Sequence, residues 1–344
     1  MTSPVVLVTG GAGYIGSHAV RALQQAGFQP LVLDNLVYGH RAIVDRVLQV
    51  PLVVGDVADR PLLDALLSGR HPILAGQPVQ AVLHFAAFAY VGESVLDPAR
   101  YYRNNLAASL TLLEALVAAR PHRPIPLVFS STCATYGLPE RLPLDESHPQ
   151  NPINPYGRSK WMVEQLIQDF AAAYGLPAVI FRYFNAAGAD PAADLGEDHT
   201  PETHLIPLLL GAIAGQRGPL AIYGNDYPTP DGTCIRDYIH VSDLAAAHVL
   251  GLQSLLAADP PSPPRIYNLG TGNGFSVREV IAAAEAVTGR SAPIQMAERR
   301  PGDPAQLVAA AKKAEQELGW QPRHGDLGTI LCHAWAWHQR QWQR

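Results

Sequence analysis

Apolar and amphipathic stretches alternate along the first half of the chain. Short runs of apolar and β-branched residues predict strands, at 5–8, 31–33, 52–54, 81–85 and 127–130. The amphipathic stretches between them predict helices, at about 16–26, 40–48, 61–67 and 100–119. Because continuous apolar strands that alternate with helices form a parallel sheet covered on both faces, we predict an α/β fold with a doubly wound parallel sheet.

A glycine-rich turn joins the first predicted strand to the first helix. Gly10, Gly13 and Gly16 follow the apolar run VVLVT at the spacing GxxGxxG. Glycine lets the chain turn with a positive φ and lets backbone approach a pyrophosphate, whose charge is stabilised at the helix N-terminus. The turn predicts one half of a Rossmann-type dinucleotide-binding unit.

An acidic residue ends the second predicted strand. Asp34 lies 18 residues after Gly16, about where a dinucleotide fold places the carboxylate that accepts hydrogen bonds from the adenosine ribose. A carboxylate there repels a 2′-phosphate, so NAD is favoured over NADP, with Arg41 as the nearby residue that leaves NADP open. Further small or polar residues follow successive strands: Asn35, Asp56, Ala86, Ala87 and the segment 130–132.

Tyr156 and Lys160 lie four residues apart in the helical pattern that begins at Asn154, so they share one helix face. An ammonium about 5 Å from a phenol, at an effective dielectric near 20, contributes roughly 3 kcal/mol, which lowers the tyrosine pKa by about two units. Tyr156 is therefore predicted as the general base toward a substrate hydroxyl, and Thr132 as a hydrogen-bonding partner of the same oxygen. Hydride would pass from the hydroxyl-bearing carbon to a nicotinamide.

The pattern loosens beyond residue 181, where helices are predicted at 205–214 and 242–254 and short strands at 221–223 and 235–241. At 344 residues the chain exceeds the usual single core. We predict an NAD-binding Rossmann domain at 1–185 and a smaller α/β substrate-binding domain at 186–344, with a soft boundary because later segments can cross back. The glycine-rich stretch Asn268–Gly274 lacks an acid-ended strand about 20 residues later, so we predict a turn there.

Composition narrows the classes of function. Hydrophobic residues make up 48% of the chain, and Lys+Arg 25 against Asp+Glu 30 gives a net charge of -5, so nucleic acid is not expected as a partner. Three dispersed cysteines without CxxC spacing favour a reducing cytoplasm. The first strand begins within a few residues of Met1 and no apolar run approaches about 18 residues, so we expect neither a leader nor a membrane span.

Motifs over nearly the whole chain resemble the UDP-glucose 4-epimerases of the extended short-chain dehydrogenase/reductase family. They include GGAGYIGSH, SSTCATYG, NPYGRSK, RYFNAAGA, GEDHTPETHLIP, RDYIHVSDLA and RRPGD, in order. The resemblance implies NAD-dependent inversion of C4 of a UDP-sugar, by oxidation to a 4-keto sugar, rotation of that sugar and return of hydride to its opposite face. UDP-glucose and UDP-galactose are the implied substrates, and a homodimer is the implied assembly.

Carried over position by position, the resemblance implies three groups of site residues. Tyr156, Lys160 and Thr132 would be catalytic. The NAD contacts would be Gly10, Gly13, Tyr14, Ile15, Asp34, Asn35, Asp56, Val57, Phe85, Ala86, Ala87, Asn104, Tyr156, Lys160 and Tyr183. The UDP-sugar would be held by Thr132, Tyr156, Asn185, Leu205, Tyr223, Arg236, Arg300 and Asp303, with the two arginines suited to a diphosphate.

Departures from the family pattern leave the substrate range open. Leu307 occupies the position that gates the sugar pocket in the family, where a large residue excludes N-acetyl groups and a small one admits them. UDP-N-acetylhexosamines therefore remain possible substrates, as do UDP-xylose and UDP-arabinose because of the motif around Tyr90. Thr132 replaces a common Ser, His204 a common Asn and Ala89 a common Lys, which weakens particular contacts.

Two rival functions share this fold. A sugar-nucleotide 4,6-dehydratase would show Thr-Asp-Glu where the chain has Thr132, Cys133 and Ala134, and an NAD-binding protein without turnover would not need the hydroxyl, phenol and amine together. His199 and His204 are five residues apart, and the sequence indicates no further ligands for them, so no metal site is expected. The helices at about 100–119 and 156–173 are the candidate dimer interface, although their apolar faces could equally be buried within the domain.

Overall fold

The structure is a computed structural model that describes residues 3–120, 124–257, 263–300 and 303–343. Its strands, numbered along the chain, are β1 (Val5–Thr9), β2 (Gln29–Asp34), β3 (Leu52–Val54), β4 (Ala81–His84), β5 (Leu127–Thr132), β6 (Ala178–Tyr183), β7 (Asn185–Ala187), β8 (Leu220–Tyr223), β9 (Ile235–His240), β10 (Arg265–Leu269), β11 (Gly274–Ser276), β12 (Ile294–Ala297) and β13 (Gln306–Leu307).

The helices are α1 (Tyr14–Gln25), α2 (Arg60–Leu67), α3 (Val91–Leu96), α4 (Pro98–Tyr101), α5 (Ala108–Ala119), α6 (Pro155–Tyr174), α7 (Leu205–Ile213), α8 (Val241–Ala257), α9 (Val277–Thr288), α10 (Lys312–Leu318) and α11 (Leu327–Trp342). Two π-helical segments, Ile43–Leu48 and Tyr102–Ala107, occupy parts of the predicted helices at 40–48 and 100–119. Within the described residues, no helix is long and apolar enough to cross a membrane.

A seven-stranded parallel sheet forms the centre, in the order β10-β6-β5-β4-β1-β2-β3. Every residue of β1 is buried, and its side chains alternate between two apolar clusters: Val6 and Val8 face one, Val5 and Leu7 the other. A strand whose side chains are buried on both sides requires helices on both faces of the sheet. The predicted fold class, a doubly wound α/β sheet, is confirmed.

The C-terminal part of the chain contributes both to the large sheet and to the group of smaller sheets and helices beside it. β10 pairs in parallel with β6 at the edge of the large sheet, and α8 packs against α1. The remaining late strands form smaller sheets, β11-β9-β13 with β7 on β9, and β12-β8, beside an apolar cluster built from α7, α9 and α11. The division at residue 185 remains a prediction, with late segments crossing back as we allowed.

The glycine-rich stretch Asn268–Gly274 leaves β10 as a turn. The backbone N–H groups of Thr271 and Gly272 donate to the two oxygens of Asp237, at 2.8 and 3.0 Å. Gly272 has a φ of +75°, which a residue with a Cβ adopts at a cost. Because Asp237 occupies these N–H groups, they are not free to bind a phosphate.

Candidate active site

The glycine turn after β1 brings backbone from three elements into close contact. Gly10 has a φ of +72°, and a Cβ there would lie 2.6 Å from the backbone nitrogen of Ala86, which follows β4. A Cβ at Gly16 would overlap the carbonyl oxygen of Gly10. Gly13 is the N-cap of α1 and offers no side chain to the first N–H groups of that helix. The turn therefore has the geometry that a bound pyrophosphate requires.

Asp34 lies at the carboxyl end of β2, next to that turn. Its two oxygens accept hydrogen bonds from the backbone N–H groups of Ala12, at 3.0 Å, and Leu36, at 2.8 Å. Burial raises the pKa of Asp34, and these hydrogen bonds oppose the rise. Arg41 lies 3.7 Å from Asp45, so its guanidinium has an acidic partner within its own segment.

The other predicted cofactor residues follow the same edge of the sheet. Asn35 donates to Asp56 at 2.9 Å, which links the ends of β2 and β3. The backbone N–H of Phe85 donates to Thr9 at 3.0 Å, which links the ends of β4 and β1. Ile15 lies in the first turn of α1, Val57 is buried after β3, Ala86 and Ala87 follow β4, Tyr183 ends β6, and Asn104 lies in the π-helical segment before α5.

The side chain of Tyr14 is bonded to the segment that follows β7. Its hydroxyl donates to the carbonyl oxygen of Gly188 at 2.8 Å, so the side chain has a partner within the protein. Tyr14 is the first residue of α1 and directly follows the N-cap Gly13.

Helix α6 begins where the sequence predicts and presents Tyr156 and Lys160 at its first turns. The side chain of Asn154 caps the helix by accepting from the N–H of Gly157 at 2.8 Å, and Pro155 takes the first helical position. A Cβ at Gly157 would overlap the carbonyl oxygen of Ala134, so the helix start packs tightly against the segment after β5. This close approach brings Tyr156 and Lys160 to the end of the strand that carries Thr132.

Lys160 is buried and its ammonium is fixed in place. Its Nζ donates to the carbonyl oxygen of Ser130 at 2.8 Å and lies 4.9 Å from the ring centroid of Phe129. Burial lowers the pKa of Lys160 to about 7, although Glu164 opposes the fall.

The pKa of Tyr156 moves the other way from our prediction. Burial raises it, the neighbouring Tyr183 adds to the rise, and a hydrogen bond with Thr132 opposes it. The prediction that Lys160 lowers this pKa is wrong for the protein residues by themselves. The physical reason is that removing the phenolate form from water costs more than the hydrogen bond with Thr132 recovers.

A buried ion pair that sequence reasoning missed supports this edge. Glu164 is fully buried, and Arg182 on β6 donates to it through Nη2 at 2.6 Å and through Nε at 3.1 Å. Ser131 donates to the same carboxylate, and Tyr136 contacts the guanidinium at 3.1 Å. The available signals were an arginine inside the apolar run AVIFRY and a glutamate between the apolar positions of α6.

The predicted substrate residues form two contacts away from the large sheet. Arg236 on β9 and Asp303 form an ion pair at 2.9 Å. The guanidinium carbon of Arg300 lies 3.9 Å from the ring centroid of Tyr223, at the end of β8. Asn185 lies on β7, which pairs with β9, and Leu205 is the first residue of α7.

Leu307 links the two regions. It pairs with Arg236 across β13 and β9, is only 9% exposed, and shares an apolar cluster with Cys133 and Phe184. Cys133 directly follows Thr132, so Leu307 lies between the end of β5 and the predicted diphosphate-binding arginine.

Four potential metal ligands also lie near the start of α7. The prediction that His199 and His204 lack further ligands is wrong, because Glu197 and Glu202 converge with them, and one ligand atom from each lies within 4.8 Å of the others. Burial lowers the pKa of each histidine, but the two glutamates outweigh it and raise that of His199 to about 9 and that of His204 to about 10.

Comparisons with known proteins agree with this geometry. The NAD dependent epimerase/dehydratase family matches residues 6–270. The UDP-glucose 4-epimerase of Rhizobium meliloti (strain 1021) is 51% identical over 336 residues, which cover 98% of this chain and 97% of that protein. The UDP-glucose 4-epimerase of Azospirillum brasilense is 50% identical over 98% of this chain and 92% of its own.

Solved structures give the same result. UDP-glucose 4-epimerase from Brucella ovis in complex with NAD is 49% identical, with a TM-score of 0.88 over 97% of this chain and 98% of that one. UDP-glucose-4-epimerase from Stenotrophomonas maltophila, with bound NAD and formylated UDP-arabinopyranose, is 41% identical, with a TM-score of 0.91 over 99% of both chains.

Proposed function

The chain belongs to the NAD dependent epimerase/dehydratase family and is an NAD-dependent UDP-glucose 4-epimerase, and we propose that Tyr156, Lys160 and Thr132 perform its chemistry. The expected product of each cycle is the C4 epimer of the UDP-sugar, formed through a transient 4-keto sugar. The observation that supports this assignment is the position of the two helical residues beside the end of β5, with Lys160 held by Ser130.

The residues at the carboxyl edge of the sheet fit NAD. Gly10 lets the turn pack directly against the backbone of Ala86, where a Cβ would clash, and Asp34 is a buried acceptor beside that turn. NAD, when bound, accepts hydride from C4 and returns it. The chain positions the dinucleotide with the glycine turn, orients the ribose with Asp34, and lines the other end of the site with Tyr183 and Lys160.

We assign proton transfer to Tyr156. A phenol whose pKa is raised by burial holds its proton until a cation approaches, so its release depends on charge that arrives with the ligands. Thr132 is placed to hydrogen-bond the same sugar oxygen and to orient it toward Tyr156. Lys160 is held at the end of β5 by its bond to Ser130.

Arg236 and Arg300 are proposed to hold the diphosphate. In the structure, Arg236 is paired with Asp303, and Arg300 lies over Tyr223. An arginine fork that binds phosphate oxygens bidentately can exchange a carboxylate partner for a diphosphate without leaving its position. A firm nucleotide anchor lets the 4-keto sugar rotate and present its other face, which inversion requires.

The decisive experiment is C4 inversion by the purified protein and by Tyr156→Phe. We expect purified protein to carry NAD and to interconvert UDP-glucose and UDP-galactose without added reductant. Tyr156→Phe should lose about 10²–10⁴-fold in kcat and keep UDP binding, because it removes the proton-transfer group and leaves the anchor. Tyr174→Phe is the matched control, since Tyr174 is exposed at the other end of α6. Equal turnover by the two variants would refute the assignment.

We also propose a homodimer and a cytoplasmic location. Several apolar side chains are exposed on α3 and α5, including Leu96, which is 87% exposed, Val95 at 60% and Leu110 at 36%. A second copy of the chain would remove such side chains from water. Cys133, Cys234 and Cys332 are all free thiols, which is usual in a reducing compartment. Light scattering on the purified protein tests the assembly.

A further inference from the structure

The segment between β7 and α7 contains a repeated motif of potential metal ligands, one of which, His204, stands where the family commonly has a substrate-loop Asn. Glu197-Asp198-His199 and Glu202-Thr203-His204 are two Glu-X-His units, five residues apart. The loop folds both units inward, so that two carboxylates and two imidazole Nδ1 atoms face one another.

We propose that Glu197, His199, Glu202 and His204 form a zinc-binding site that fixes this loop against the N-terminus of α1 and the segment after β4. The inference goes beyond the epimerase activity and does not depend on it.

The distances fit a four-coordinate site. A tetrahedron with metal–ligand distances of about 2.0–2.2 Å has edges of roughly 3.3–3.6 Å. His204 Nδ1 lies 2.8 Å from Glu197 and 3.0 Å from Glu202, and His199 Nδ1 lies 3.4 and 3.6 Å from the same two residues. Only small side-chain rotations separate these spacings from the tetrahedral edge.

One ligand atom is also left unsatisfied. The Nδ1 of His199 is buried and has no hydrogen-bond partner among the described residues, although it faces both carboxylates. A buried nitrogen without a partner costs free energy, and a metal ion at the centre of the cluster would satisfy it. Glu197 is only 5% exposed, and in the structure the imidazoles of His204 and His199, at 2.8 and 3.4 Å, compensate its charge.

The ligand types select the metal. Two imidazoles and two carboxylates suit Zn²⁺, whereas Ca²⁺ and Mg²⁺ prefer all-oxygen sites and higher coordination. Zn²⁺ binds imidazole in its neutral form, so the ion would displace the protons that the two glutamates hold on His199 and His204, and the remaining charge of about −2 on the carboxylates is the charge that one Zn²⁺ neutralises.

The surroundings hold the ligands in place. The ring of Tyr14 packs edge-on against His199, with centroids 6.3 Å apart, and Tyr90 packs edge-on against the same imidazole at 6.1 Å. Tyr14 is further tied to the start of the loop by its bond to Gly188. A rigid aromatic shell of this kind keeps ligand side chains oriented in the absence of the ion.

The test is metal content and metal-dependent stability of the full-length protein. Wild type purified with ZnCl₂ present should retain about one zinc per chain after desalting. Removing the metal with a chelator and restoring it at about a hundredfold excess over Kd should raise Tm by about 4 °C for a chain of this length, while MgCl₂ should not. Co²⁺ in place of Zn²⁺ should give the intense visible absorption of a tetrahedral site.

Two variants of proposed ligands and one control variant of a neighbouring residue complete the experiment. His204→Asn and Glu202→Gln should each reduce retained zinc at least tenfold and abolish the Tm rise. His40→Asn is the control, because His40 contacts Asp198 of the same loop, at 3.4 Å to its carboxylate, without being a ligand. It should bind zinc like wild type.

The rival explanation is a network of ion pairs with no metal. In that case stripped wild type takes up no zinc and its Tm does not respond, which overturns the proposal whatever the variants do. Equal zinc content in His204→Asn and wild type overturns it as well. Because the wild-type arm requires no substitution, a variant that fails to fold does not affect the outcome.

Discussion

The buried pair of Glu164 and Arg182 gives a quantitative test of how the site is supported. Both side chains are at most 3% exposed, and Arg182 donates three hydrogen bonds to the Glu164 carboxylate. Removing one charge leaves the other buried and uncompensated, which typically costs about 3–5 kcal/mol. Glu164→Leu should therefore lower the free energy of unfolding by about that amount.

The double variant separates the interaction between Glu164 and Arg182 from the contacts that each makes with other residues. Glu164→Leu combined with Arg182→Met removes both charges and keeps apolar volume, so we expect a loss of only about 0–2 kcal/mol relative to wild type. If Arg182→Met alone also costs about 3–5 kcal/mol, the two single losses sum to about 6–10 kcal/mol and the coupling energy between the two positions is about 4–10 kcal/mol. Urea unfolding followed by circular dichroism, on wild type, both single variants and the double variant, measures it.

A surface ion pair is the matched control. Asp45 lies 3.7 Å from Arg41 and both side chains are about half exposed. Asp45→Asn should change the free energy of unfolding by less than about 0.5 kcal/mol. If Glu164→Leu cost no more than this control, or if the two single variants were simply additive, the buried pair would not support the edge of the sheet as we describe.

Three further predictions address the cofactor site, pH and specificity. Gly10→Ala should lower the amount of bound NAD, measured by absorbance after purification, because the new Cβ would meet the backbone of Ala86. Gly27→Ala is the control and should keep its NAD, because Gly27 also has a positive φ but a Cβ there would meet no other atom. In cofactor-stripped protein the pKa of Lys160 lies below its value in the unfolded chain, so the unfolded chain binds more protons and the free energy of unfolding rises with pH. Between about pH 7 and pH 9, urea unfolding should show wild type gaining about 2 kcal/mol relative to Lys160→Met. Parallel pH profiles of the two proteins would contradict the burial of Lys160. Leu307→Tyr should reduce turnover of UDP-N-acetylhexosamines more than that of UDP-glucose, because it enlarges a side chain next to Cys133 at the end of β5, and a uniform loss in a panel of UDP-sugars would argue against a gate.

The sequence by itself determined the features that depend on local spacing. The glycine turn and the acid at the end of β2 are read within the first strand-turn-helix-strand unit, and the four-residue spacing of Tyr156 and Lys160 within α6, because helical and strand periods fix which side chains share a face. The family, and with it the activity and NAD, follows from motifs spread over the whole chain. Which individual residues contact the substrate, which contact the cofactor and which are catalytic remain predictions.

Tertiary structure decided what distant segments do to one another. Only the folded chain shows that Lys160 bonds the Ser130 carbonyl and that burial is the main cause of the raised pKa of Tyr156. Only the fold brings Arg182 to Glu164, and only the loop path brings Glu197 and Glu202 onto two histidines. Desolvation and convergence of charges depend on which surfaces pack together, and no local periodicity contains that information.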